Sequence, residues 1–312
     1  MNNFAIIADP ASGMSTELRE RFGIDAIIPG HVTFPDGSDH LADPDWKTID
    51  PDEYFRSMVG GKSIYKTGAP NTEDIGECME RFLKEGRDVL LITLSSGMSG
   101  TYDTCRVVAR EMEEKYPDNK VVVVDSLRFS AMMILMNIKA SEMRAEGKSA
   151  EEVGKWMEEN RNRYRQAGPL NDLKFLAKTG RISGAKAFFG QLVGVNSIGD
   201  FAPNGVTTVL TTVKGTDKAL EASIEYMKAT IENPEEQIVL VTHTYRAKEA
   251  AKLAEVVENE FHPAEILNVR TDMLCGANIG PGMIAAYYFG KEATADMAWE
   301  KETLTAIVEK LK

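Results

Sequence analysis

Short apolar runs alternate along this chain with stretches whose apolar residues recur at helical spacing. Residues 4–8 are a continuous apolar run and predict a buried strand. Residues 15–22 read as a short helix closed by Gly23. Asp50-Pro51 places a capping side chain before a proline at the first helical position, which is a helix start. Asn71-Thr72 opens the next helix, which stops at Gly86. Residues 89–94 predict a second strand, followed by a small polar loop at 95–100 and a helix over 101–115. Residues 121–124 are all valine and predict a third strand ending in Asp125-Ser126. A methionine-rich helix over 129–146 and a charged helix over 150–163 follow.

Strand–helix alternation of this kind implies a parallel sheet with crossover helices, a Rossmann-like α/β domain over residues 1–165. Ligands bind such sheets outside the carboxyl ends of the strands. There the loops carry Asp9, residues 95–100 and Asp125-Ser126, which puts a polar site on one edge. From Gly168-Pro169 the pattern changes. Residues 173–178 predict one or two helical turns. Residues 196–201 and 206–213 predict strands joined by the turn Pro203-Asn204-Gly205. A helix over 216–231, a strand over 238–242, a helix over 247–258 and a strand over 265–269 follow. A glycine-rich loop and a helix over 281–288 complete the series. Hairpin and crossover together predict a mixed-sheet α+β domain over 166–290, with a C-terminal surface helix over 291–312.

The composition narrows the function. Lys plus Arg number 36 against 48 Asp plus Glu, a formal net charge of −12 over 312 residues. That balance argues against nucleic acid as a main partner and against docking on anionic lipid. Three separated cysteines form no C-x-x-C pair, so neither a zinc site nor a disulfide framework is expected, and a reducing cytoplasm fits. No basic leader precedes the first apolar run, and no apolar run reaches membrane-spanning length. The four histidines lack metal-ligand spacing; His243 follows a strand, where a structural role is the simpler reading.

Several motifs could carry chemistry. In Ser95-Ser96-Gly97-Met98-Ser99-Gly100-Thr101-Tyr102, small residues leave N–H groups and hydroxyls open at a helix start, which suits an anion. The loop equally fits a capped strand–helix turn. A nucleophile elbow, a dinucleotide fingerprint and a P-loop are all absent. Thr67, in Lys66-Thr67-Gly68-Ala69-Pro70, offers a hydroxyl to a ligand or to a turn. Arg181, in Gly180-Arg181-Ile182-Ser183, offers a bidentate fork for a carboxylate or phosphate, or an ion pair. Asn278, in a glycine-rich segment ending Gly280-Pro281-Gly282, offers a donor and an acceptor. Met132, Met133, Met136, Phe188, Phe189 and Met283 suit either a core or a pocket for a long flexible chain.

In this order the marks resemble the DegV family, the lipid-binding proteins that include the fatty-acid-binding subunit of bacterial fatty acid kinase. They are the strand ending at Asp9, Lys66-Thr67-x-x-Pro70, the serine–glycine octapeptide from Ser95, and Gly180-Arg181-Ile182-Ser183. Val213-Lys214-Gly215 and Gly280-Pro281-Gly282 add to them, and the resemblance runs from about residue 4 to about 290. It implies a two-domain α/β protein that is not an enzyme and has no cofactor. A long-chain fatty acid would lie between the domains with its carboxylate at Thr67, Ser96, Gly97 and Asn278. A separate kinase would receive that carboxylate for acyl-phosphate formation, docking near Arg181 and Lys214. The acyl tunnel would use the methionines and phenylalanines named above. The chain departs from the family at Pro10 for the usual serine, Asn196-Ser197 for Lys-Pro, Lys214 for arginine and Asn278 for histidine. Two other readings use the same residues: an enzyme for a small anionic substrate (a phosphate or ester) at residues 95–100, and a binding module without kinase coupling.

Overall fold

The computed structural model describes residues 4–170, 175–176, 182–183 and 194–311. The chain forms two compact units. The first comprises residues 1–48, 65–161 and 272–275, and the second 49–64, 162–271 and 276–312. Both are therefore discontinuous, whereas the sequence pattern suggests a single division near residue 165.

The first unit is built on strands β1 (Ala5–Ala8), β2 (Ala26–Ile27), β6 (Val89–Thr93) and β7 (Val121–Asp125), all parallel in the order β2-β1-β6-β7. All four residues of β1 are buried, as an apolar run between helical layers requires. The helices begin where short polar side chains can hold free N–H groups. Ser15 caps α1 (Thr16–Phe22), and Gly23 ends it at φ +66°. Asn71 caps α3 (Thr72–Leu83), and Ser149 with Glu152 forms a capping box on α6 (Ala150–Asn160). Helix α4 (Thr101–Lys115) covers the sheet with α3, so that Ile75, Met79, Cys105 and Val108 pack against Ile7, Val89 and Leu91. Helix α5 (Met132–Ala145) is buried without interruption from Met132 to Ile138, because both of its faces are apolar. A small antiparallel sheet of β3 (His31–Thr33), β4 (Asp39–Leu41) and β5 (Lys66–Thr67) accompanies the parallel one.

The second unit carries helix α2 (Pro51–Met58), capped by Asp50. Strands β8 (Tyr164–Ala167), β12 (Ile238–His243), β13 (Glu265–Arg270) and β14 (Ile284–Phe289) form a mixed sheet in the order β13-β12-β14-β8. A second sheet pairs β10 (Val195–Phe201) with β11 (Thr207–Lys214) as a bulged hairpin, and β9 (Ile182–Ser183) adds in parallel. The turn at Pro203-Asn204-Gly205 forms as expected, with Gly205 at φ +80° donating to the Ala202 carbonyl. Helices α7 (Thr216–Thr230), α8 (Ala247–Phe261) and α10 (Ala298–Lys310) contribute to this core, as does Leu304, which is fully buried. Helix α10 thus buries one face. Helix α9 (Met273–Ile279) divides between the units.

Two expectations are corrected here. Residues 281–288 are not a helix; from Ile284 they belong to β14, paired between β12 and β8. The glycine-rich loop before it is largely helix α9. An apolar run buried on both faces carries no period by which to tell strand from helix.

The second unit also buries a charged network. Arg165 has no exposed surface and donates to Asp200 at 2.7 Å, Tyr226 at 2.6 Å, Glu300 at 3.4 Å and the Lys291 carbonyl at 2.8 Å. Asp200 also accepts from Tyr226 and from the N–H groups of Gln166 and Phe201. Every member therefore has a partner, as burial of charge demands.

Candidate functional site

Parallel neighbours end on one edge, so the loops after β1, β6 and β7 emerge together. Asp9 follows β1 and is buried. Its Oδ1 accepts from Ala11 N–H and its Oδ2 from Leu94 N–H, both at 2.8 Å, which ties the first loop to the second. Burial pushes its carboxyl up to about 6, against two backbone donors that favour the ionised form.

The three serines of residues 95–100 do different things. Ser95 is buried; its Oγ accepts from Gly97 N–H at 3.1 Å, and its carbonyl takes the N–H groups of Met98 and Ser99. Ser99 Oγ lies 2.8 Å from Thr101 Oγ1 and accepts from Thr101 N–H at 3.3 Å, closing the start of α4. Ser96 is exposed and reaches the next strand. Its Oγ donates to Asp125 Oδ2 at 2.6 Å, and its N–H donates to Asp125 Oδ1 at 3.1 Å. Asp125 ends β7 and is buried; that it holds Ser96 is a contact which sequence motifs do not flag. The signal was topological, since adjacent parallel strands put residues 29 positions apart on one edge.

Behind these loops lies a buried polar cluster. Ser130, at φ +55°, donates to Asp272 Oδ2 at 3.2 Å, and Cys275 N–H donates to Asp272 Oδ1 at 2.7 Å. Burial pushes the Asp272 carboxyl up to about 7. The Cys275 thiol donates to the Ala11 carbonyl at 3.4 Å and is driven well above its usual range by burial, which makes it inert as a nucleophile. A cavity of about 210 Å³ adjoins Asp272, walled by Ile27, Ile28, Leu41 and Met273.

The residues singled out from sequence fall as follows. Ser96 and Gly97 share the exposed loop. Thr67 sits half-buried in β5, opposite Val32, and among the described residues no hydrogen bond joins it to Ser96. Asn278 is half-buried in the second unit, in the last turn of α9. Lys214 is exposed at the end of β11. Met132, Met133 and Met136 are fully buried in α5, and Met283 is buried with its N–H on Thr244 Oγ1. Arg181, Phe188 and Phe189 lie outside the described residues. His243 Nδ1 accepts from Arg246 N–H at 3.0 Å; burial and the Arg270 guanidinium lower its pKa to about 4, so it is a neutral, satisfied histidine. Among the described residues no group of three His, Cys, Asp or Glu is placed to hold a metal ion, and no helix is long and apolar enough to cross a membrane.

Residues 3–291 match the model of a protein family described as "Uncharacterised protein, DegV family". A fatty acid-binding protein of Thermotoga maritima is 26% identical over 285 residues, covering 89% of this chain and 95% of the relative. The solved structure of a fatty-acid-binding DegV family protein from Thermus thermophilus is similar at a TM-score of 0.82 and 25% identity, covering 93% of this chain and 100% of that one. The fatty acid kinase B3 protein of Streptococcus pneumoniae, solved loaded with linoleic acid, is similar at a TM-score of 0.76 and 20% identity, covering 93% and 100%.

Proposed function

The chain belongs to the DegV family, and from that premise we propose that it is a fatty-acid-binding protein, not an enzyme, which takes one long-chain fatty acid as its ligand. The observation that carries this reading is the likeness, over 93% of the chain, to the fatty-acid-binding protein of Thermus thermophilus. The physical chemistry agrees. A C16 acid brings about 14 methylenes, and at roughly 0.8 kcal/mol each their burial offers about 11 kcal/mol gross. Association and chain ordering consume several kcal/mol of that. The tail therefore supplies affinity and the head group supplies orientation. We assign the head group to Thr67, Ser96, Gly97 and Asn278, and the tail to a lining that includes Met132, Met133, Met136, Phe188, Phe189 and Met283. A site for a small phosphate or ester substrate is not favoured: Ser96 has a carboxylate neighbour, and among the described residues its hydrogen-bond partners include no histidine.

The finer reading is that the bound acid is presented to a separate kinase for acyl-phosphate formation, with Arg181 and Lys214 on the docking surface. Its support is the likeness to the kinase B3 protein. Protein purified gently and then denatured is expected to release a fatty acid visible by mass spectrometry. Stripped protein is expected to bind palmitate or oleate, and Ser96→Ala to weaken that binding about tenfold, the loss of roughly one hydrogen bond. Consistently empty protein that binds neither acid would refute the assignment. For the kinase step, loaded protein mixed with a fatty acid kinase and ATP is expected to yield acyl phosphate, more slowly for Lys214→Glu.

A further inference from the structure

A serine hydroxyl carries one proton. In Ser96 that proton is held by Asp125 Oδ2 at 2.6 Å, while Ser96 N–H and Leu127 N–H occupy Oδ1 at 3.1 and 3.2 Å. Three donors converge on Asp125, and among the described residues no cation pairs with its carboxylate. What Ser96 has left for a ligand is oxygen lone pairs. A ligand carboxylate also presents only lone pairs, and it would bring a second negative charge to within one hydroxyl of Asp125. A carboxylic acid, by contrast, has an O–H to give.

We propose that Asp125 is a positioning residue that holds Ser96 as a hydrogen-bond acceptor, so that the site takes up its acyl ligand in the protonated form, the ligand O–H donating to Ser96 Oγ. This rests on the assignment of the head group to Ser96. The other charged groups around the pair are few. Arg161 donates to the Asp125 backbone carbonyl at 2.7 Å from the end of α6. Arg128 donates to the Leu127 carbonyl at 2.7 Å, and its own carbonyl takes Ser95 N–H. Asp9 holds Leu94 N–H on the β1 side, and Asp103 lies in the first turn of α4. The two arginines engage the backbone carbonyls of Asp125 and Leu127, which leaves the Asp125 carboxylate to Ser96 and the Leu127 N–H.

The test is the pH dependence of binding, read by displacement of a fluorescent fatty acid between pH 5 and pH 9. Wild-type affinity for oleic acid should fall by about tenfold per pH unit above the ligand's own ionisation. Oleyl alcohol, which keeps an O–H and does not ionise there, should bind equally across the range. Methyl oleate, which has no O–H, should bind more weakly than the alcohol. In Asp125→Asn the amide can donate to Ser96 and free its proton for a carboxylate, so the pH slope for oleic acid should flatten. A wild-type profile that is flat, or that rises with pH, overturns the proposal, as does an unchanged slope in Asp125→Asn. The alcohol and ester arms decide the matter in the wild type should that variant not fold. A wild type that binds none of the three at any pH sinks the fatty-acid reading itself.

Discussion

Two aspartates in this molecule each gather several hydrogen-bond donors, and they are put to opposite uses. Asp200 in the second unit is met by the Arg165 guanidinium, the Tyr226 hydroxyl and two backbone N–H groups, all without exposed surface. Asp125 in the first unit is met by one hydroxyl and two backbone N–H groups, at the foot of an exposed loop. The first arrangement compensates charge with charge and leaves nothing for a ligand. The second holds an exposed serine in one orientation and leaves its oxygen open. Whether a buried carboxylate stabilises a unit or shapes a surface depends on what its donors do with their remaining valences.

That contrast can be broken at either end. The largest effect of a single substitution is expected at Arg165. Replacing it by methionine strands Asp200 as an uncompensated buried charge, which costs about 3–5 kcal/mol. Denaturant unfolding would measure it, and a loss below about 1 kcal/mol would show that the network is not the anchor of the second unit. Next comes a pH effect from two carboxyls of the first unit. Asp9 and Asp272 have folded pKa values of about 6 and about 7, above the ordinary value of 3.8. A carboxyl raised by folding stabilises fully below its unfolded value, and that contribution is lost as pH rises through the folded value. These two carboxyls should therefore make stability decline between about pH 4 and pH 7, and the opposite contribution of His243, whose pKa is lowered to about 4, offsets only one of them. Each such carboxyl contributes a fall of about 1.4 kcal/mol for every pH unit between its unfolded and folded values, so Asp272→Asn should remove much of the decline. An unaltered pH profile would contradict the burial of an acidic proton there. Glu300→Gln should cost about 1–3 kcal/mol, because the amide cannot match the carboxylate toward both Arg165 and Thr294. Smallest is Ser99→Ala, expected to cost about 1 kcal/mol of thermal stability through the lost hydrogen bonds to Thr101, with a far smaller change in fatty-acid affinity than Ser96→Ala. Equal losses of affinity in the two variants would mean that the whole loop, and not Ser96, senses the ligand.

How much of this was legible in the sequence varies with the physics of each segment. The helix Thr101–Lys115 was, because Cys105, Val108 and Ala109 recur at helical spacing. The parallel sheet and the gathering of the loops after its strands were as well. Tyr164–Ala167 was not: a strand whose interior residues are Arg165 and Gln166, both fully buried, does not look like one to any hydrophobic pattern. Strands β2 to β5 are two or three residues long, too short to show alternation. Residues 284–289 carry small and aromatic residues on both faces and lose their period altogether. At the site, the motifs marked Ser96. That its proton is held by Asp125 depends on a pairing between strands, which no local window contains.

The partners of Arg165 also set a timetable. Asp200 and Tyr226 follow it by 35 and 61 positions, but Glu300 follows by 135. During synthesis the guanidinium must wait, with one of its carboxylates missing, until α10 has been made. A nascent chain halted before that helix would keep the charge of Arg165 balanced by Asp200 but leave the guanidinium one acceptor short and the core without Leu304, so the second unit could not finish packing until its last helix is made.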